Sequence, residues 1–151
     1  MFFNGILKKS KGSKVMKYLS VGLIGLCFFL LVDIIFLRTV MGPWYSAQYP
    51  DLLRQVDGII KVNYVAALAC YLLMLVCLTY FVFQLPAGSS WALVIFQGFL
   101  LGVTFYGVFD LTNLAILSGW SWLVSIVEIL WGGIVCGATY AVMFMAIKIW
   151  Q

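Results

Sequence analysis

Three acidic side chains stand in otherwise apolar sequence: Asp33, Asp110 and Glu128. A carboxyl group in such surroundings can carry a proton, hold a cation or bind a basic headgroup or substrate. Near the centre of a membrane helix each costs at least roughly 2.5–3.5 kcal/mol, so each needs a partner or water. Other hydrogen-bonding side chains recur beside them at helical spacing. Tyr106, Asp110 and Asn113 share a face at i, i+4 and i+7, with Thr112 adjacent. Ser121, Ser125, Glu128, Trp131 and Gly132 share another, and Asn63, Tyr64 and Tyr71 offer polar groups from a third segment. The chain has no histidine, which excludes His-ligated haem, histidine metal sites and a histidine general base. Cys27, Cys70, Cys77 and Cys136 all lie in apolar runs with no C-x-x-C pair, and read as small core residues. No nucleophile or metal motif is recognisable, so no cofactor or metal is expected and the balance leans away from an enzyme.

The elements that must position these groups follow from composition. Of 151 residues, 65% are apolar and 9% charged, whereas a water-soluble domain needs roughly a quarter charged to coat its surface. Val62 to Phe109 is a run of 48 residues without one charge. A soluble enzyme, a disordered chain and a nucleic-acid-binding domain are thereby excluded, and the main solvent is the lipid bilayer. A helix crosses the hydrocarbon core in about 20 residues, so the length accommodates four crossings, placed at about 17–41, 62–85, 91–117 and 121–149. Long continuous apolar runs argue against a barrel, whose strands alternate over about 10 residues. The predicted fold is an all-α, integral membrane four-helix bundle: a basic tail (1–16), then a single four-span domain (17–151).

Turn residues mark the boundaries. Gly42-Pro43 is expected to end the first span, Pro86-Ala87-Gly88-Ser89-Ser90 the second and Ser118-Gly119 the third. Tyr45 to Lys61 is the one sizeable polar connection. Its spacing of Leu52, Leu53, Val56, Ile59 and Ile60 among charges suggests a short amphipathic interfacial helix. The first span is expected to be an uncleaved anchor, because apolar sequence continues past Asp33. Six of the nine basic residues lie at the two ends (Lys8, Lys9, Lys11, Lys14, Lys17, Lys148), which predicts both termini cytoplasmic, in the inner membrane of the cell. Trp44, Trp120 and Trp122 then fall at the outer boundary, with Trp91 and Trp150 at the inner one.

With the spans in place, depth sorts the charges. Asp33, Asp110 and Glu128 all come roughly 10–12 Å below the outer boundary at about 1.5 Å per residue. Three carboxylates in one layer of low dielectric repel one another, so a proton, a cation or a basic residue is expected among them. Arg38, Arg54 and Lys61 are the candidate charge partners. Gly98-x-x-x-Gly102 and Gly133-x-x-x-Gly137 supply small-residue strips for close packing of the third span on the fourth.

The stretch Tyr106-Gly107-Val108-Phe109-Asp110-Leu111-Thr112-Asn113-Leu114-Ala115-Ile116-Leu117-Ser118-Gly119-Trp120 resembles the signature of a membrane-protein family known as domain of unknown function 2177. Its pattern is approximately Y-D-L-T-N-x-A-x-L-x-x-W, followed by an acid and W-G in the next span. Here Phe109 stands for the usual tyrosine, and Glu128-Ile129-Leu130-Trp131-Gly132 carries glutamate where aspartate is expected. Val32-Asp33-Ile34-Ile35-Phe36-Leu37 is similar to the family's first-span element, with Phe36 in place of tryptophan. The resemblance implies a small four-span membrane protein and places Asp33, Asp110, Thr112, Asn113, Glu128, Trp131 and Gly132 in the family's motifs.

Three functional classes are consistent with these residues. The first is binding or transport of a proton, cation or small polar or lipidic substrate in a carboxylate-lined pocket of the outer half. There Asp110 is central, Thr112 and Asn113 orient it, Asp33 and Glu128 face it from neighbouring spans, and Tyr106 and Trp131 are further pocket candidates; a homodimer would suit so short a transporter. The second is a membrane-embedded lipid-modifying enzyme or its accessory subunit. The third is a structural subunit of a larger membrane complex, in which the acids serve as interhelical hydrogen-bonding glue.

Overall fold

The computed structural model describes residues 2–57 and 59–150, with side chains from Lys14 onward. Lys8, Lys9 and Lys11 of the basic tail lie outside the described side chains. The elements are α1 (Phe2–Phe36), a π-helical turn (Leu37–Met41), α2 (Gly42–Gln48), a two-stranded hairpin of β1 (Gln55–Val56) and β2 (Ile59–Ile60), α3 (Tyr64–Val82), α4 (Trp91–Ile116) and α5 (Trp122–Ile149). Among the described residues, four helical segments are long and apolar enough to cross a membrane: Lys14–Gln48, Tyr64–Val82, Trp91–Ile116 and Trp122–Ile149. The shortest, of 19 residues, is about 28 Å long at 1.5 Å per residue, enough for a hydrocarbon core of about 30 Å.

Local sequence explains where three of the helices begin. Asn63, Ser90 and Ser121 are N-caps whose side chains accept from the backbone N–H of Ala66, Leu93 and Val124, satisfying donors that the first helical turn leaves free. Within the spans the helices are apolar on every side, as lipid-immersed helices are. α5 is the most buried of the four and forms the centre of the bundle, while α3 is the most exposed. α4 lies along α5 with glycines at the contact. A Cβ at Gly98 would stand 2.9 Å from the Cys136 carbonyl and 3.0 Å from Gly137 Cα, and one at Gly102 would collide with the Gly132 carbonyl. The two small-residue strips therefore pack this helical hairpin, as their spacing predicted.

Two expectations about the first connection are corrected. Gly42-Pro43 does not end the first span, since the helix continues to Gln48. In the π-helical turn the Gly42 N–H reaches back to the Leu37 carbonyl, and Pro43 stands in the first turn of α2, where a missing N–H costs nothing. Nor is Tyr45–Lys61 an amphipathic interfacial helix. After α2 comes the hairpin, with Gln55 opposite Ile60 and Val56 opposite Ile59. Asp57-Gly58 is a dipeptide suited to a two-residue hairpin turn, and Asp57 adopts the left-handed φ of +53° that such a turn uses. Flanking β-branched Val56, Ile59 and Ile60 favour strands over helix.

Packing divides into two apolar clusters. One, built from Val21, Phe29, Leu78, Val82, Tyr140, Met143 and Phe144, fills the half away from the hairpin. The other, around Met41, Tyr49 and Val124, sits under α2. Of the cysteines, Cys136 is core, but Cys27 and Cys70 are exposed on the bundle surface, because in lipid a small apolar side chain gains little by facing inward.

Candidate functional site

Between the two apolar clusters lies a polar layer containing Asp33, Asp110 and Glu128, with 2%, 0% and 5% of their surfaces exposed. The three separate into two arrangements. Asp33, on α1, accepts one hydrogen bond from each of the other three spans. Its Oδ2 takes the Tyr71 hydroxyl of α3 at 2.8 Å. Its Oδ1 takes the Tyr106 hydroxyl of α4 at 3.2 Å and the Trp131 indole N–H of α5 at 2.9 Å. The Trp131 indole is held by stacking on Phe36, with ring centroids 3.9 Å apart at 11°. Gly132 has the Tyr106 ring against its backbone where a Cβ would be, so the Trp-Gly pair supplies one donor and makes room for another.

Asp110 and Glu128 form the second arrangement. Their side chains lie within hydrogen-bonding reach of each other. The Trp120 indole N–H donates to Asp110 Oδ1 at 3.4 Å and to Ser125 Oγ at 3.1 Å. The Tyr45 hydroxyl donates to Glu128 Oε1. Asp110 Oδ2 and Glu128 Oε2 remain buried with no donor. Buried polar atoms are seldom left so, and two carboxyl groups in contact can bond to each other only through a proton that one of them carries.

A cleft of about 260 Å³ between α1, α3 and α4 reaches Asp33, Tyr71 and Tyr106 past Cys70, Phe105 and Phe109. A larger cavity of about 400 Å³ lies outside the carboxyl pair, lined by Tyr45, Tyr49, Phe109, Asn113 and Trp120 together with Leu52, Leu53 and Leu117. Tyr45 and Trp120 stand between that cavity and the acids, lining the one and donating to the other.

The residues expected at the site are thus redistributed. Asp33, Tyr106 and Trp131 belong to one cluster and Asp110 and Glu128 to the other, so the three acids share a layer but do not meet at one point. Thr112 does not orient Asp110: it is exposed, since two residues along a helix is about 200° around it. Asn113 is half-buried and lines the outer cavity, and its carbonyl accepts from Leu117 at the end of α4. Trp120 and Ser125 take the orienting role. Arg38, Arg54 and Lys61 are exposed, and the acids are met by phenols, indoles and the Ser125 hydroxyl instead. Sequence reasoning missed Tyr45, Tyr49 and Trp120 as site residues. Their signal was composition at a boundary, three aromatic side chains with polar tips near the ends of the spans that carry the acids.

A family model described as Predicted membrane protein (DUF2177) matches residues 16–145. No curated protein and no solved structure matches the chain.

Proposed function

The chain belongs to the DUF2177 family of membrane proteins, and from that premise we propose that it binds a proton or a small cationic or polar ligand at the Asp110–Glu128 carboxyl pair. It does so as a multi-pass protein of the inner membrane with both termini in the cytoplasm, and the pair lies in the outer half of the bilayer. One observation carries this reading. Two buried carboxyl side chains are in contact, each with an oxygen that no protein donor reaches. If glue were their whole role, the bundle would be expected to complete their hydrogen bonding, as it does at Asp33. Tyr45 and Trp120 hold the inner oxygens and cover the pair, so exchange with the outer side proceeds by displacing one of them. If the protein carries its ligand across the membrane, two copies would provide the pathway that four helices are too few to enclose.

Asp33 supports a second role for the same layer. Its three donors come from three different spans, which suits an acid that holds the bundle together rather than one that exchanges a ligand.

The test is infrared spectroscopy of the purified protein in liposomes. The stretching band of a protonated carboxyl should be present at neutral pH and should disappear or shift in both Asp110→Asn and Glu128→Gln. A band unchanged in both variants would overturn the shared proton. A flux assay in proteoliposomes, comparing wild type with Asp110→Asn, separates transport from binding alone: equal flux in the two, or none in either, argues against transport.

A further inference from the structure

We infer that the cavity outside the carboxyl pair is a cage for an organic ammonium group. Four aromatic rings line it: Tyr45, Tyr49, Phe109 and Trp120. Trp120 is the hub, with Tyr49 stacked on it at 4.5 Å and 6°, Phe109 edge-on at 6.1 Å and 82°, and Tyr45 tilted at 6.3 Å and 44°. Aromatic faces attract cations through the ring quadrupole, and a group of rings is the usual device for ammonium ions whose alkyl shell leaves them weakly hydrated. Its volume of about 400 Å³ falls within the usual range for small-ligand sites.

What singles out this aromatic cluster is its backing. The polar edges of two lining rings are hydrogen-bonded to the buried acids behind them, Trp120 to Asp110 and Tyr45 to Glu128. Donation from N–H or O–H to a carboxylate enriches the ring in electron density, which strengthens its attraction for a cation. The pair adds a negative field from the same side, in surroundings of low dielectric where that field is weakly screened. The remaining lining is leucine and the Asn113 amide, with no basic side chain among the described residues. An anion would meet the acids unfavourably. An alkali cation would find rings where it needs oxygen ligands, and a neutral solute would gain nothing from the charge.

The site lies at the outer end of the bundle, in the proposed orientation at the depth of lipid headgroups. The ammonium could therefore come from a phosphatidylcholine headgroup or from a free solute such as choline. This inference rests on the proposal that Asp110 and Glu128 serve a ligand site.

Isothermal titration calorimetry of the full chain in phosphatidylglycerol nanodiscs tests it, using choline chloride and its uncharged isostere 3,3-dimethylbutan-1-ol. Choline should bind at least about tenfold more tightly than the isostere. Phe109→Leu, at an exposed position, should weaken choline by roughly three- to tenfold. Tyr49→Phe, which keeps the ring and loses the hydroxyl that accepts from the Ser121 N–H, should change it by less than about twofold. Equal binding of choline and the isostere, or no effect of both Phe109→Leu and Tyr49→Leu, would overturn the cage. In phosphatidylcholine nanodiscs a reduced apparent affinity for choline identifies the headgroup as occupant, and an unchanged one identifies the free solute. Failure here with the carboxyl band intact removes the cage and leaves the proton-holding pair. Loss of the band with choline binding intact removes the shared proton and leaves the cage.

Discussion

Among the described residues, the side chains that donate to Asp33 are all phenols or indoles, and phenols and indoles also reach Asp110 and Glu128. Such a side chain carries one polar hydrogen on a large apolar body, so it enters hydrocarbon without the cost that a lysine or arginine brings. In keeping with this, Arg38, Arg54 and Lys61 are exposed on the surface while Tyr71, Tyr106 and Trp131 reach Asp33 inside the bundle. The energetics at Asp33 follow. Removing one phenolic hydroxyl removes one interhelical hydrogen bond, worth about 0.6–1.7 kcal/mol in a membrane protein. Tyr71→Phe and Tyr106→Phe should each destabilise the bundle by that amount. Asp33→Leu leaves three donors unpaired in one step and should cost more, about 2–4 kcal/mol. Thr112→Val, at an exposed site in the same layer, should stay within about 0.5 kcal/mol. Reversible unfolding of the purified protein in mixed detergent micelles measures all four. An Asp33→Leu protein as stable as Tyr71→Phe would mean that the three hydrogen bonds do not hold the spans together.

At the scale of elements, the helical hairpin of α4 and α5 is the rigid part, and its rigidity depends on glycine. A Cβ at Gly102 would meet the backbone of Gly132, which no side-chain rotation relieves, whereas a Cβ at Gly107 has nothing within 4 Å. Gly102→Ala should therefore destabilise by about 1–3 kcal/mol through overpacking. Gly107→Ala should be neutral or stabilise by up to about 1 kcal/mol through helix propensity, with unfolding midpoints as the measurement. This hairpin was legible in the sequence because close packing requires small residues at fixed spacing, and Gly98, Gly102, Gly133 and Gly137 show it directly. The path from α1 through α2 to the hairpin was not. Gly42-Pro43 carries the same local signal whether a helix stops or passes through a π-helical turn, and the outcome depends on Met41 and Tyr49 packing against Val124, a contact across more than 70 residues. Asp57-Gly58 did carry a hairpin signal, hidden by the amphipathic spacing of the leucines and isoleucines around it.

For the whole molecule, long apolar runs and turn residues marked the four spans, and helix rise then put the acids in one layer, since it converts residue count to height with little ambiguity. Azimuth was the missing coordinate. Depth alone put Asp33, Asp110 and Glu128 in one layer, but rotation about each helix axis decides that Asp33 turns to Tyr71, Tyr106 and Trp131 while Asp110 turns to Glu128. Packing fixes that rotation, and a single sequence whose helices are apolar on every side contains little of it. Orientation across the bilayer is the remaining whole-molecule quantity, and the aromatic cage has its proposed access to outer ligands only if the hairpin end faces outward. With Cys27, Cys70, Cys77 and Cys136 replaced, a lone thiol introduced by Lys61→Cys beside the hairpin should react with a membrane-impermeant maleimide on intact cells. One introduced by Ala87→Cys, between α3 and α4, should react only after permeabilisation. The basic residues predict this pattern, since six of the nine lie at the two chain ends. The reverse pattern would turn the carboxyl pair and its cavity toward the cytoplasm, and the ligand would then have to be sought there.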